Sequence, residues 1–303
     1  MDTLDFFKFL IEPIINKKLV LVTDSKLMVD IEISSVYGEP GPTDLKSKLI
    51  RLFHSKTSGG VPFGSWAKGF NLQPNSSAKV NIFFTGENER PPYGDWDAYL
   101  SFDLHDFGSK NAYLPLWWIT CTDLAGQKNA PYLDEVITVE SLLKSRKPSF
   151  KTRKKFCVAF IGKAYPFRMQ ALSALSEIQK VEVFGAIARK DAKSKFKESQ
   201  NYKFVFAFEN DLYPGYVTEK VIEAWATGAI PLYWGSDPAN YINPKAVINL
   251  ADFDSMMEFV DFVKEVNANS KLWEEIASQP ILLKRPDLSD VNRVLQKALA
   301  GLK

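Results

Sequence analysis

The stretch that decides the fold is FENDLYPGYVTEKVIEAWATGAIPLYWGS, Phe208 to Ser236. An apolar strand, YKFVFAFEN from Tyr202, enters it, and a second apolar strand, AIPLYW (Ala229–Trp234), leaves it. Between them runs a buried helix: Val221, Ile222, Ala224 and Trp225 put apolar groups on several of its faces. Thr218 is a good N-cap and Gly228 a good terminator. Strand, helix and strand in this spacing predict a parallel βαβ unit. In an open sheet of that kind, ligands bind outside the carboxyl ends of the strands. The turn from Asn210 to Val217 lies at such an end, and Gly215 lets backbone come close to a ligand. A helix N-terminus offers free N–H groups and partial positive charge, which suits phosphate. Lys220 in the first turn opposes the helix dipole, so it makes most sense beside an anion. Glu219 then needs another partner, such as the hydroxyls of a ribose or sugar. A capped Rossmann helix with incidental charges would carry the same letters. The segment is neither a Walker A loop nor G-x-G-x-x-G.

The pattern on either side is similar. KFCVAFIG (Lys155–Gly162) and VEVFG (Val181–Gly185) read as strands, with a helix at FRMQALSALSEI (Phe167–Ile178). KAVINLADF (Lys245–Phe253) reads as one more strand and Ser255–Val266 as an amphipathic helix. Strands alternating with helices predict a Rossmann-like sheet. Arg168 opens its helix just after a strand and loop, where it can grip phosphate with two parallel hydrogen bonds. A solvated first-turn arginine would look the same.

The first half is less regular. KLVLVTD (Lys18–Asp24), MVDIEISSVY (Met28–Tyr37) and AKVNIFFTG (Ala78–Gly86) read as strands, and LKSKLIRLF after Asp44 as a short helix. FFTGENE puts Glu87 and Asn88 at the carboxyl end of a buried strand, a good place for a general base acting on a hydroxyl. A loop carboxylate capping backbone is the plain alternative. The aromatics Phe63, Trp66, Phe70, Tyr93, Trp96, Trp117 and Trp118 are candidates either for sugar stacking or for core. KSRKPSFKTRKK (Lys144–Lys155) reads as a solvated basic linker. It divides residues 1–150, expected to be an acceptor-binding domain, from residues 151–303, expected to be a donor-binding domain. The amphipathic helix Asp290–Leu302 is expected to pack on the protein, back on the N-terminal domain.

Composition narrows the function. The chain has 303 residues, 46% of them hydrophobic and 24% charged, which suits two soluble domains. A net charge of +2 argues against a dedicated nucleic-acid binder. Two cysteines, Cys121 and Cys157, cannot build a disulfide framework or a four-cysteine zinc site. Neither Asp95–Asp97 nor Asp252–Asp254 comes with further metal ligands. The two histidines, His54 and His105, match no base–nucleophile motif. The first residues lack a basic region and cleavage site, and no apolar run is long enough for a membrane span. The expected location is therefore cytoplasmic, with membrane contact at most peripheral.

Six stretches together resemble the bacterial α-1,3/α-1,4-fucosyltransferases of glycosyltransferase family 10. They are Phe83–Asp103, NAYLPLWW (Asn111–Trp118), PFRMQAL (Pro166–Leu172), YKFVFAFEN, GYVTEKVIEAWATGAIPLYWGS (Gly215–Ser236) and INPKAVINLADF (Ile242–Phe253). The resemblance runs from about Val80 to Val266 and leaves the first 75 residues uncovered. It implies an α/β fold of GT-B type, with two Rossmann-like domains facing each other across a cleft. It implies inverting transfer of L-fucose from GDP-β-L-fucose to N-acetyllactosamine-type, Lewis-type glycans. Carried over, Glu87 is the general base and Arg168 and Lys220 hold the diphosphate. Asn210, Tyr216, Val217 and Glu219 contact the donor, and Glu219 also faces the developing oxocarbenium charge. No cofactor is required beyond the donor substrate, and a divalent metal is at most stimulatory. Another GT-B sugar-nucleotide transferase and a non-catalytic glycan-binding protein are the competing readings. Pro214, in the turn ENDLYPGYV, departs from the family pattern and stiffens the loop beside the donor.

Overall fold

The computed structural model describes residues 3–22, 28–35, 73–92, 94–125 and 137–302. The expected helix at LKSKLIRLF and the aromatics Phe63, Trp66, Phe70 and Tyr93 lie outside them, as does His54. The chain forms two compact units. One contains Trp117–Asn210 and Val217–Pro286; the other contains the residues up to Leu116, then Asp211–Tyr216 and the chain from Asp287.

The elements of the second of these units are helix α1 (Thr3–Ile15) and strands β1 (Ile31–Ser35), β2 (Val80–Phe84), β3 (Ala98–Ser101) and β4 (Asn111–Tyr113). The strands lie side by side in the order 1-2-3-4, all parallel, with Ile82 opposite Ala98 and Leu100 opposite Ala112. β2 is buried along its whole length, as a largely apolar strand inside a parallel sheet must be. The Lys18–Val22 segment is not a strand. The Leu19 N–H and the Lys18 ammonium both donate to Glu12 of α1, so the N–H goes to a side chain rather than to a ladder. Val20 is left 84% exposed.

The other unit starts with short helices α2 (Leu116–Thr120), α3 (Thr122–Ala125) and α4 (Val139–Leu142). Then come β5 (Lys155–Phe160), α5 (Pro166–Ser176), β6 (Val181–Phe184), α6 (Lys195–Ser199), β7 (Tyr202–Phe208), α7 (Glu219–Ala226), β8 (Ile230–Trp234), β9 (Ile248–Asn249), α8 (Met256–Ala268) and α9 (Ser270–Ser278). The last helix, α10 (Ser289–Ala298), belongs to the unit of β1–β4. It buries Val291, Val294 and Leu295 and packs against β3, β4 and α1.

The five-stranded sheet is parallel in the order β6-β5-β7-β8-β9. This is the 2-1-3-4-5 order of a doubly wound sheet, and its direction of winding reverses between β5 and β7. Right-handed crossovers then place α5 and α7 on opposite faces. The core follows that division. Ala171 and Leu175 of α5 join Phe259 and Val263 of α8 in one apolar cluster with Phe204, Phe208 and Trp234. Only Ile248–Asn249 of the expected strand Lys245–Phe253 is strand. Asn243 and Asn249 accept from the N–H groups of Lys245 and Ala251 and turn the flanking residues into single 3-10 turns.

The basic stretch Lys144–Lys155 is not a solvated linker throughout. Arg146 donates to the carbonyls of Ala277 (2.6 Å), Ala229 (2.9 Å) and Trp225, and its guanidinium lies 4.1 Å from the Trp225 ring centre. Arg153 donates to the carbonyls of Ser199, Tyr202 and Thr227. Both arginines clamp carbonyls at helix and strand ends. Trp96, Trp117 and Trp118 are core. Trp117 and Trp118 stack edge-on against Tyr241, and Trp96 packs on Phe83 in the other unit.

Candidate functional site

At the reversal between β5 and β7, two loops diverge and leave a crevice beyond the strand ends. β5 leads through Gly162 to α5, whose first turn starts at Pro166 and carries Arg168. β7 ends at Phe208 and is followed by Glu209 and Asn210. The Arg168 Nη1 donates to Asn210 Oδ1 at 3.0 Å, and Arg168 is only 4% exposed. The first-turn arginine is thus drawn inward and spans the reversal point.

The second half of the site is the start of α7. Thr218 is its N-cap in extended conformation, as its residue type predicts, and its hydroxyl accepts from the Lys220 N–H. Beneath the cap sits Glu209, fully buried. Its Oε1 accepts from the Thr218 N–H at 2.7 Å. Its Oε2 accepts from the Thr218 hydroxyl at 2.7 Å and from the Lys220 ammonium at 3.1 Å. The same ammonium donates to Thr218 Oγ1 at 2.9 Å. Next to it, Glu219 has a buried Oε2 with no hydrogen-bond partner among the described residues. One turn on, Glu223 accepts from Lys195 of α6 at 3.1 Å. A cavity of about 80 Å³ opens among Arg168, Lys195, Glu219, Lys220, Glu223 and Ser199.

Three carboxylates and three cations therefore meet around one helix start, and Glu209, Lys220 and Glu223 are shifted there. Burial pushes the Glu209 carboxyl up, against the downward pull of Lys220 and Thr218. Burial alone would lower Lys220, but the carboxylates of Glu209 and Glu219 outweigh it and leave it raised, so it stays an ammonium. Burial raises Glu223 too, opposed by Lys195. An ammonium and a guanidinium at a helix N-terminus can bind a dianionic oxygen cluster such as a diphosphate. Glu219 is left able to accept hydroxyl hydrogens.

Of the residues singled out from sequence, Arg168, Asn210, Glu219 and Lys220 lie together around this crevice. Val217, 1% exposed, is buried directly before the cap. Glu87 and Tyr216 belong to the other unit. There β2 ends into Thr85, whose hydroxyl accepts from the Glu87 N–H at 3.2 Å, and Asn88 donates to Asp211 at 3.1 Å. Gly215 has φ +88°, and a Cβ there would lie 2.4 Å from the Phe102 carbonyl oxygen. Its own carbonyl accepts from the Tyr113 hydroxyl. Tyr216 is buried edge-on against Phe102 at 5.0 Å. Sequence reading passed over Glu209, Lys195 and Glu223. For Glu209 a signal existed: an acid directly after an all-apolar strand rarely survives burial without a dedicated cation. Among the described residues, no group of three or more His, Cys, Asp or Glu is placed to hold a metal ion.

Comparison with known proteins follows the same lines. The family profile "Glycosyltransferase family 10 (fucosyltransferase) C-term" matches residues 150–277, which include β5 to α8 and the crevice. The alpha-(1,3)-fucosyltransferase FucT of Helicobacter pylori is 30% identical over 71% of this chain and 49% of that protein. A putative fucosyltransferase of Acanthamoeba polyphaga mimivirus is 32% identical over 46% of this chain and 26% of that protein. The chain thus spans about half the length of the first of these relatives and a quarter of the second. Among solved structures, a crystal structure of alpha1,3-fucosyltransferase aligns with a TM-score of 0.63 and 22% identity, over 99% of this chain and 84% of the other. A second, described as alpha1,3-fucosyltransferase with GDP-fucose, aligns at 0.59 and 21% identity over 98% and 97%. These likenesses establish the fold as α/β of GT-B type. With that fold, the profile match on the crevice and the Helicobacter relative, the chain belongs to glycosyltransferase family 10.

Proposed function

We propose that the chain transfers L-fucose from GDP-β-L-fucose to a hydroxyl of GlcNAc in N-acetyllactosamine-type, Lewis-type glycans, with inversion to an α-1,3 or α-1,4 fucoside. The observation that carries this reading is Arg168 bonded to Asn210 across the reversal of a 2-1-3-4-5 sheet, with Lys220 at the adjoining helix start. Crevices at such a switch point take nucleotides, and the two cations suit their diphosphate. The named activities of the relatives favour fucose as the sugar and GDP as the carrier.

In the proposed reaction the acceptor hydroxyl oxygen attacks the anomeric carbon from the face opposite GDP. Glu87 takes the hydroxyl proton as the new bond forms. The bond from the anomeric carbon to the phosphate oxygen breaks, and its electron pair leaves with GDP. Arg168 and Lys220 receive that growing charge, a role that elsewhere falls to a metal. Asn210, Tyr216 and Val217 hold the donor. Glu219 accepts from its hydroxyls and stabilises positive charge on the fucosyl ring. No cofactor is needed in this scheme, and a divalent ion at most stimulates it. The setting we propose is a bacterial cytoplasm, with membrane contact no more than peripheral. No described helix is long and apolar enough to cross a membrane.

The test is a panel of type 1 and type 2 N-acetyllactosamine acceptors with GDP-fucose, in the presence and absence of a chelator. GDP release gives turnover, and NMR of the product gives linkage and anomeric configuration. Turnover with another sugar nucleotide but not GDP-fucose would replace the donor assignment. Binding of glycan without any GDP release would replace the enzyme with a lectin.

A further inference from the structure

We propose that Glu209 is a positioning residue for Lys220, one that sets the ammonium and the start of α7 before the donor arrives. The inference rests on the donor reading above. Glu209 is the most enclosed ionisable group of the crevice, with no exposed surface. Every partner of its carboxyl group is a donor: the Thr218 N–H and hydroxyl and the Lys220 ammonium. An ionised carboxylate accepts all three, whereas a protonated one would have to aim its own hydrogen at one of them. The carboxylate is therefore an internal counter-ion and a brace at once. One oxygen fixes the cap residue, and the other fixes the lysine two residues on.

The geometry limits what Lys220 does. An ammonium has three N–H donors. Two are engaged, with Glu209 Oε2 and Thr218 Oγ1. One remains for a ligand, so Lys220 makes a single directed contact to the diphosphate rather than a loose, shared one. A lysine side chain free to rotate would have to be immobilised at each binding event, at a cost that Glu209 removes in advance. Glu209 touches neither nucleotide nor sugar in this account. Its whole effect passes through Lys220 and the cap.

The test is a double-mutant cycle on GDP binding and on kcat/KM for GDP-fucose, with Glu209→Gln, Lys220→Met and the double variant. Folding is followed by thermal melting. Glu209→Gln keeps the shape of the side chain and the bond to the Thr218 N–H but turns an amide toward the ammonium. The expected result is a loss in donor kcat/KM of about 30-fold or more in the wild-type background, shrinking to about 3-fold or less once Lys220 is Met. Equal losses in both backgrounds would overturn the role of Glu209 and leave the donor reading intact. A wild-type chain that binds no GDP would sink both. Should Glu209→Gln not fold, the wild-type chain still answers through NMR of 15N-labelled lysine side chains, with Lys220→Met assigning the signal. A braced ammonium exchanges its protons more slowly than the exposed lysines; equal rates would overturn the proposal.

Discussion

Replacing Arg168 by lysine keeps the charge and removes the fork. In the structure the guanidinium is 4% exposed and commits Nη1 to Asn210 Oδ1 at 3.0 Å. A guanidinium is a planar fork that can meet two phosphate oxygens at once. An ammonium is a compact point charge and cannot hold Asn210 and a diphosphate in the same geometry. Losing one charge-assisted hydrogen bond costs about 1.5–3 kcal/mol. At about 1.4 kcal/mol per decade, that is roughly a 10- to 150-fold fall in kcat/KM for GDP-fucose. Arg168→Ala removes the charge as well and should fall about 10³-fold. The assay is initial-rate GDP release over a range of GDP-fucose, with calorimetry of GDP binding and a melting curve as folding control. If the guanidinium acts on charge that grows as GDP departs, kcat falls further than GDP affinity does. A folded Arg168→Lys chain whose kcat/KM stays within about 3-fold of wild type would refute the reasoning, because that is under 1 kcal/mol. The fork would then be unused, and Arg168 would be a buried structural cation.

Four more outcomes follow from particular contacts. Glu87→Ala should lower kcat by about 10²–10⁴-fold and leave GDP affinity unchanged, since a general base on the acceptor side does not hold the nucleotide; parallel losses in both would move Glu87 to donor binding. Gly215→Ala forces a side chain into φ +88° and against the Phe102 carbonyl, so melting should show a loss of about 2 kcal/mol or more. Arg146→Ala strips its donors from the Ala277, Ala229 and Trp225 carbonyls and should cost about 3 kcal/mol in a urea titration, where a solvated linker arginine would cost almost nothing. Lys220 is opposed by burial but raised overall by Glu209 and Glu219, so its positive charge is fully present below the ordinary lysine value of 10.5 and disappears only as pH rises through the raised value. The part of GDP affinity lost in Lys220→Met should therefore stay constant from neutral pH to about 10, and an earlier decline would mean that the ammonium is not held by its carboxylates.

What could be read from the letters alone was what one element needs from its immediate neighbours. β7, β8 and the helix between them are continuous apolar runs with a cap and a terminator, and a parallel sheet buried on both faces demands runs of that kind. Thr218 caps because its residue type and position suffice for it. Lys220 stood out as a cation in a first turn, where the helix dipole disfavours it, and Arg168 as an arginine opening its helix just after a strand and loop. What stayed hidden depends on partners far along the chain. The reversal between β5 and β7, which turns a loop into a crevice, is a property of strand order and has no local signature. Arg146 and Arg153 have the sequence context of a solvated linker, yet the carbonyls they satisfy belong to residues 46 to 131 positions away. Lys18–Val22 has a strand's composition, but Glu12 takes its N–H. Glu209 lies between these cases. It reaches its partners across nine and eleven residues, over a turn that leaves the sheet and returns. A charge buried at the end of an apolar strand costs several kcal/mol unless it is paired, so an acid in that place already implies a cation folded back onto it. The nearest cation after the turn is Lys220, and the helix dipole had already marked that lysine as needing a negative partner. The two unfavourable placements explain each other: one buried carboxylate and one misplaced ammonium form a pair that holds the helix start open to an anion.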